Sequence, residues 1–240
     1  MTLQNKRVVI IGGTSGIGLA IAEGVIRDGG TPIVVSSRLA RVEAALATLG
    51  AAAEGHVADI RDEATVAALF EAIGAFDHLA FTAGDSLKVG PIADMPLAAA
   101  RAFFDTRYWG AYTAAKYGAR FLQAGGSITL SSGIASGRPP QAGWTLGASV
   151  CAAMEGLTRA LAIELKPLRV NIVSPGFVRT PLWDDIAEAD REAMYVAAGQ
   201  ALPVGRIGLP EDLAATYLFL MQQPFATGQT FIVDGGGMLA

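Results

Sequence analysis

A chain of 240 residues can bury a sizeable core and still fold as one domain. With 52% apolar and only 17% charged residues it reads as a compact globular protein, with apolar surface to spare for subunit contacts. Its net charge of −4, without any Lys/Arg cluster, excludes nucleic acid and anionic membrane as main partners, because both demand a basic face.

In chain order, the opening "MTLQNKRVVIIGG" has none of the charged n-region, long apolar run and small-residue cleavage site of a secretory signal. No run of 18 or more apolar residues is free of charge, so no spanning helix is expected and a cytoplasmic location is. Short apolar runs then alternate with longer stretches of helical period. "RVVIIG" (7–12) precedes "GIGLAIAEGVIRDGG", "PIVVSS" (32–37) precedes the Ala/Leu-rich 40–49, and "GHVADI" (55–60) precedes 63–73. "HLAFTAG" (78–84), "GSITLSS" (126–132), "RVNIVSPG" (169–176) and "QTFIVDGG" (229–236) repeat the theme. Residues 97–123 read as one long Ala-rich helix and 148–166 as another.

Short continuous apolar strands separated by helices predict an α/β fold: a single doubly wound parallel sheet, flanked by helices on both faces, spanning 1–240. The segment 179–208, with "RTPLWDD" and "ALPVGRIG", is the most irregular. Ligands of such sheets sit beyond the carboxyl ends of the strands, so this segment is expected to form a lid there. The single cysteine, Cys151, cannot form an internal disulfide, and no Cys/His cluster has metal-ligand spacing, so no metal is expected.

"GGTSGIG" (12–18) falls between the first strand and the first helix, the context that gives a glycine pattern its meaning. Gly12 permits a sharp turn, while Gly16 and Gly18 let backbone approach a pyrophosphate and let the helix pack closely. Thr14, Ser15 and Ile17 complete the loop, whose free N–H groups at the helix start face negative charge. The second strand ends in Ser36, Ser37 and Arg38, where an acidic residue would bond both ribose hydroxyls and repel a 2′-phosphate. Ser37 and Arg38 therefore favour NADP(H) over NAD(H), the alternative being that Arg38 is an ordinary solvated residue at a helix start. Asp59, with Ile60 beside it, suits either the adenine amino group or a helix cap.

Taken together these stretches resemble the short-chain dehydrogenase/reductase family over nearly the whole chain. The family's TGxxxGIG loop stands as "IGGTSGIG", with Ile11 for the usual Thr, and its NNAG as "FTAG", keeping Ala83 and Gly84. Its N(A/I)VSPGxxxTP stands nearly intact as "NIVSPGFVRTP" (171–181), and "ATGQTFIVDGGG" resembles its closing strand. The resemblance implies a Rossmann fold and a nicotinamide-dependent oxidoreductase. It places Ala83, Gly84, Pro175, Gly176, Val178 and Thr180 at the cofactor. It also implies a homo-oligomer, tetramer or dimer, through the 148–166 helix, where Ala148, Ala152 and Ala153 suit close packing, and through the C-terminal strand.

Such enzymes use Asn, Ser, Tyr and Lys, because hydride reaching a carbonyl carbon leaves charge on oxygen that must be bonded and then protonated. Laid on this sequence, Ser132 takes the serine position, with Ser131 the alternative by one register. Thirteen residues on, the tyrosine position falls on Thr145, and the lysine position on Ser149; Arg107 stands where the family has Asn. An aliphatic hydroxyl is too weak an acid to replace a phenol, so Thr145 can hydrogen-bond without readily giving up a proton. His56 and His78 lie on strands away from this position and read as structural or surface residues. Arg107 suits a carboxylate or an oxyanion; Tyr108 and Asp85 read as packing and turn residues or as further candidates. Trp144, Phe177 and Trp183 flank the implied site, as a substrate wall or as ordinary core aromatics.

Three functions are compatible with these residues. The first is an NADP(H)-dependent reductase of a small carbonyl or imine with a nonstandard catalytic set. The second is an NADP(H) sensor or catalytically idle subunit, and the third is non-redox chemistry, such as dehydration or cyclisation, in the inherited pocket.

Overall fold

The structure is a computed structural model and describes residues 2–240. Seven parallel strands form one sheet in the order β3-β2-β1-β4-β5-β6-β7. They are β1 (Arg7–Ile11), β2 (Thr31–Ser36), β3 (Glu54–Val57), β4 (Phe76–Phe81), β5 (Leu122–Ser131), β6 (Arg169–Pro175) and β7 (Thr230–Val233). This is the doubly wound Rossmann-type sheet that the alternating pattern predicts.

Successive residues of a strand point to opposite faces, and here both faces are covered. On one face Val9 and Ile11, Ile33 and Val35, Leu79 and Phe81 pack with helices α3 (Glu63–Ile73), α5 (Gly110–Gly118) and α6 (Thr145–Glu164). On the other, Val8 and Ile10, Val34 and Ala80 pack with α1 (Gly16–Arg27), α2 (Leu39–Leu49) and α8 (Pro210–Gln222). Each fully buried Val, Ile, Leu or Phe side chain stabilises the fold by about 1.5–3 kcal/mol relative to exposure, so β1, buried almost throughout, anchors the sheet centre. The helix α6 is long and apolar enough to cross a membrane by length and composition. Glu155 and Arg159 in its middle, and its packing on β5 and β6, mark it as a helix of the core.

Two sequence expectations need correction. The Ala-rich run 97–123 is not one helix. It divides into α4 (Leu97–Phe104), a π turn (Asp105–Trp109) and α5, and the chain has already entered β5 at Leu122. An Ala-rich composition favours helix but does not show an extra residue inserted in a turn, nor the reversal closed by the Phe121 N–H on the Gly118 carbonyl. The segment 179–208 is less irregular than its composition implies, because Glu188–Ala201 forms α7. That helix is tied to the loop after β6 by the Arg179–Glu192 ion pair and by Arg179 over the Tyr195 ring.

Strand order reverses direction between β1 and β4, so the loops after these strands part and leave a crevice at their carboxyl ends.

Candidate active site

The carboxyl ends of β1, β2, β4, β5 and β6 open into a cavity of about 990 Å³. Every residue that the sequence assigns to the cofactor lines it, from Gly12 and Thr14 through Arg38 and Asp59 to Gly176 and Thr180.

At its centre the cradle is made by main chain. Gly12 has φ +86°, and a Cβ there would lie 2.7 Å from the Ala83 backbone nitrogen. A Cβ on Gly18 would lie 2.2 Å from the Gly12 carbonyl oxygen, so the first turn of α1 seats directly on the loop. Thr82, which sequence reasoning passed over, locks the two loops together by donating its hydroxyl to the carbonyls of Ile11 (3.1 Å) and Gly12 (3.3 Å). The open N–H groups of the α1 start face the cavity with no acidic residue in that first turn, a fit for a pyrophosphate.

Beyond β2, Ser36, Ser37 and Arg38 line the cavity, joined one helical turn later by Arg41, which the sequence reading also missed. Neither arginine forms an ion pair among the described residues. Asp59 also lines the cavity, but its carboxylate pairs with Arg61 at 2.7 Å, which holds it below the usual carboxylate range. The cap of α3 is Asp62, accepting from the Thr65 N–H at 2.7 Å, so the alternative role for Asp59 falls to its neighbour.

At the other end Ser131, the last residue of β5, and Ser132 both line the cavity but differ in their partners. Ser131 donates to the Phe81 carbonyl at 2.7 Å and pairs with the buried Tyr217 hydroxyl, which fixes it in the framework. Ser132 lines the cavity with its hydroxyl 3.1 Å from the Cys151 carbonyl and 3.2 Å from Glu155 Oε1. Glu155 also accepts from Ser136 at 2.6 Å, a clamp on the serine that no local spacing announced.

Thr145, proposed as the tyrosine-position residue, is a correction. It is the exposed first residue of α6 and lies outside the cavity, as does Ser149. The α6 residues that line the cavity are Gly147, Val150, Cys151 and Met154. Counting along the irregular stretch from Ser132 says nothing of how the helix is rotated, and two residues correspond to about 200°. Two pairs four residues apart face inward, Gly147 with Cys151 and Val150 with Met154, and the first of them lies two residues beyond Thr145 and Ser149. A Cβ on Gly147 would lie 2.9 Å from the Trp144 ring, so the indole occupies the space next to it.

Arg107 comes from the π turn and lines the cavity beside Gly84, with its guanidinium 4.3 Å from the Phe103 ring centroid. Nη2 donates to the Asp85 main-chain oxygen, whereas Nη1 is buried without a partner. The Asp85 carboxylate accepts from Thr106 instead. Burial pulls the Arg107 pKa down from its ordinary value and pushes the Cys151 thiol up. Tyr108 packs against the core and the rings of Phe104 and Trp109, and does not line the cavity. His78 is buried at the amino end of β4, bonded to Ser127 at 2.9 Å. His56 lies on β3, outside the cavity too. Among the described residues the lining contains no Tyr, Lys or His.

The three aromatics named from sequence all line the cavity, and Phe177 packs on Trp183 with centroids 4.6 Å apart. With Leu182, Ile186 and Met194 they make its outer, apolar wall.

A family model described as "Enoyl-(Acyl carrier protein) reductase" matches residues 12–237. The chain is 34% identical over 257 aligned residues to the short-chain dehydrogenase/reductase ucsE of Acremonium sp, an alignment covering 99% of this chain and 97% of that protein. Among solved structures, a small-chain dehydrogenase in complex with NADPH is 40% identical with a TM-score of 0.87, covering 99% of this chain and 100% of that one. The MalC reductase/Diels-Alderase from Malbranchea aurantiaca is 32% identical with a TM-score of 0.92, covering 99% and 98%.

Proposed function

Because the chain belongs to the short-chain dehydrogenase/reductase family, we propose that its cavity serves an NADP(H)-dependent oxidoreductase acting on a small carbonyl or imine. The observation that carries this reading is one continuous cavity with a backbone cradle and two unopposed arginines, Arg38 and Arg41, at one end and an aromatic wall at the other. The relative solved with NADPH supports the same dinucleotide here. When bound, the dinucleotide supplies a hydride. Gly12, Thr14, Ser15, Gly16, Ile17 and Gly18 hold its pyrophosphate, Arg38 with Ser37 its 2′-phosphate, and Val178 and Thr180 the carboxamide side.

The remaining residues then have a limited repertoire. Ser132 hydrogen-bonds the reacting group, with Arg107 beside it as a donor only, and neither readily yields a proton. A substrate that arrives protonated at nitrogen needs no proton donor, but Arg107 repels its charge unless the imine also carries a carboxylate; a ketone accepts from Arg107 at oxygen and would draw its proton from water at Ser132. The segment 179–208, with Trp183, Ile186 and Met194 over the apolar end, acts as the lid. Exposed Trp109 and Tyr112 on the α4–α5 side and Ile163 on α6 support assembly into a homo-oligomer.

A lining free of Tyr, Lys and His also favours a second reading, an NADP(H) sensor or idle subunit without turnover. The test is a titration of the protein with NADPH and NADH, followed by nicotinamide fluorescence, on wild type and R38A. The expected result is tight NADPH binding that weakens roughly 10- to 100-fold in R38A, as for loss of a charge-assisted contact, with NADH unchanged. Equal binding of the two nucleotides would overturn the 2′-phosphate assignment, and absence of both would overturn the oxidoreductase and the sensor together. NADPH consumption with imines or ketones separates those two.

A further inference from the structure

Ser132 has one hydroxyl proton, and its place in the fold decides where that proton goes. The Ser132 N–H donates to the Val173 carbonyl at 2.8 Å, which fixes the residue just beyond β5. Its hydroxyl then meets two acceptors on α6, the Cys151 carbonyl at 3.1 Å and Glu155 Oε1 at 3.2 Å. A carbonyl only accepts, and so does an ionised carboxylate. Glu155 is not on the cavity lining, and it forms no ion pair among the described residues. Its side-chain partners among those residues are two hydroxyls, Ser132 and Ser136, the second at 2.6 Å from the same oxygen. A hydrogen bond to a charged acceptor is roughly twice as strong as a neutral one, so the Ser132 proton is drawn away from the cavity. What the hydroxyl offers to the cavity is its lone pairs. The Cys151 thiol on the same lining is a weak donor and does not claim them.

We propose that Glu155 is a positioning residue that makes Ser132 a hydrogen-bond acceptor, so that the cavity holds the alcohol of the redox pair in preference to the ketone. The proposal deepens the oxidoreductase reading above and rests on it for the redox pair, though not for the polarity of the serine. An alcohol O–H donates to a Ser132 lone pair, whereas a ketone oxygen meets a hydroxyl whose proton is already engaged. To be bonded by Ser132, the ketone must pull that proton from the Glu155 carboxylate or take a water between them. An iminium N–H is a donor too, but Arg107 on the same lining repels its charge. A neutral alcohol with an aromatic body fits best, its hydroxyl on Ser132 and its body against Phe177 and Trp183. Ser131 cannot take this part, because its hydroxyl is tied to the Phe81 carbonyl and to Tyr217.

Isothermal titration of the full chain without nucleotide compares 2-acetonaphthone with the alcohol formed by its reduction, which shares the skeleton and adds the donor. The expected result is the alcohol binding roughly 3- to 10-fold tighter, the range of one neutral hydrogen bond. S132A removes the preference. E155Q, which keeps the shape without the charge, brings it below about two-fold. E155D keeps the charge and retains part of the preference, and S136A, which leaves Ser132 as the one hydroxyl on that oxygen, retains all of it. A purely structural role for Glu155 would move both ligands alike and leave their ratio unchanged, and thermal unfolding of each variant confirms the fold. Equal binding of the two ligands, no binding of either, or a preference that survives in S132A would overturn the proposal. So would a preference unchanged in E155Q, because Glu155 would then not direct the serine proton. An alcohol preference in a protein that binds neither NADPH nor NADH would retain the acceptor and overturn the oxidoreductase reading alone.

Discussion

The two ends of the cavity are built by different means. At the β1–β4 end the surface is main chain, with Gly12 and Gly18 excluding even a Cβ and Thr82 tying the loops together. At the α6 end the surface is side chain: Arg107, Ser132, Cys151 and Trp144, each aimed by the turn or helix that carries it. A main-chain cradle admits few residue types, whereas a side-chain wall can be rebuilt at any inward-facing position without disturbing the sheet. The sharpest way to break this contrast is G18V. Its Cβ would press on the Gly12 carbonyl from 2.2 Å, so the loop must move. NADPH affinity should fall by roughly 100-fold or more, equivalent to the upper range of overpacking strain. A titration that finds less than a ten-fold loss would mean that the cradle is as adaptable as the wall.

The amino end of the central strand β4 gives a control, because His78 is buried there and lies outside the cavity. Burial pushes its pKa down to about 4, with Asp77 opposing and Arg169 and Lys6 adding to the shift. The fold therefore holds it neutral, while the unfolded chain takes up a proton as pH falls through about 6.5. The stability that comes from neutral His78 is whole above pH 6.5 and is lost progressively between there and pH 4, by about 3 kcal/mol at most. Urea unfolding at several pH values should show a shallower decline for H78Q than for wild type. Parallel declines would assign the acid sensitivity to carboxylates instead.

The same contrast explains what could be read from the sequence. The seven strands, the doubly wound order and the cradle follow from apolar runs and from glycines at fixed offsets, which act through the backbone. Both serines at the end of β5 reach the cavity lining, because the end of a strand is also a backbone feature, and only their partners tell them apart. Residues set by rotation or by distant packing were not legible. Arg41 becomes a lining residue only once α2 is placed, Glu155 clamps Ser132 from the third turn of α6, and the π turn that carries Arg107 has no signature in an Ala-rich stretch.

The smallest effect belongs to Thr145. The spacing from Ser132 gave it the proton-donor position, whereas α6 turns it outward and brings Gly147 and Cys151 inward. T145V should therefore leave unfolding stability within about 0.5 kcal/mol, as for surface substitutions generally. NADPH affinity should stay within about two-fold, which corresponds to the same energy. G147A is the informative neighbour, since its Cβ would meet the Trp144 ring at 2.9 Å and displace the indole from the wall. Its effect should fall on binding of an aromatic ligand and spare NADPH. If T145V instead lost a ten-fold share of either binding and G147A lost none, α6 would have to be rotated by about two residues from its position here. Sequence spacing, not helix phase, would then be the better guide to which side chains meet the substrate.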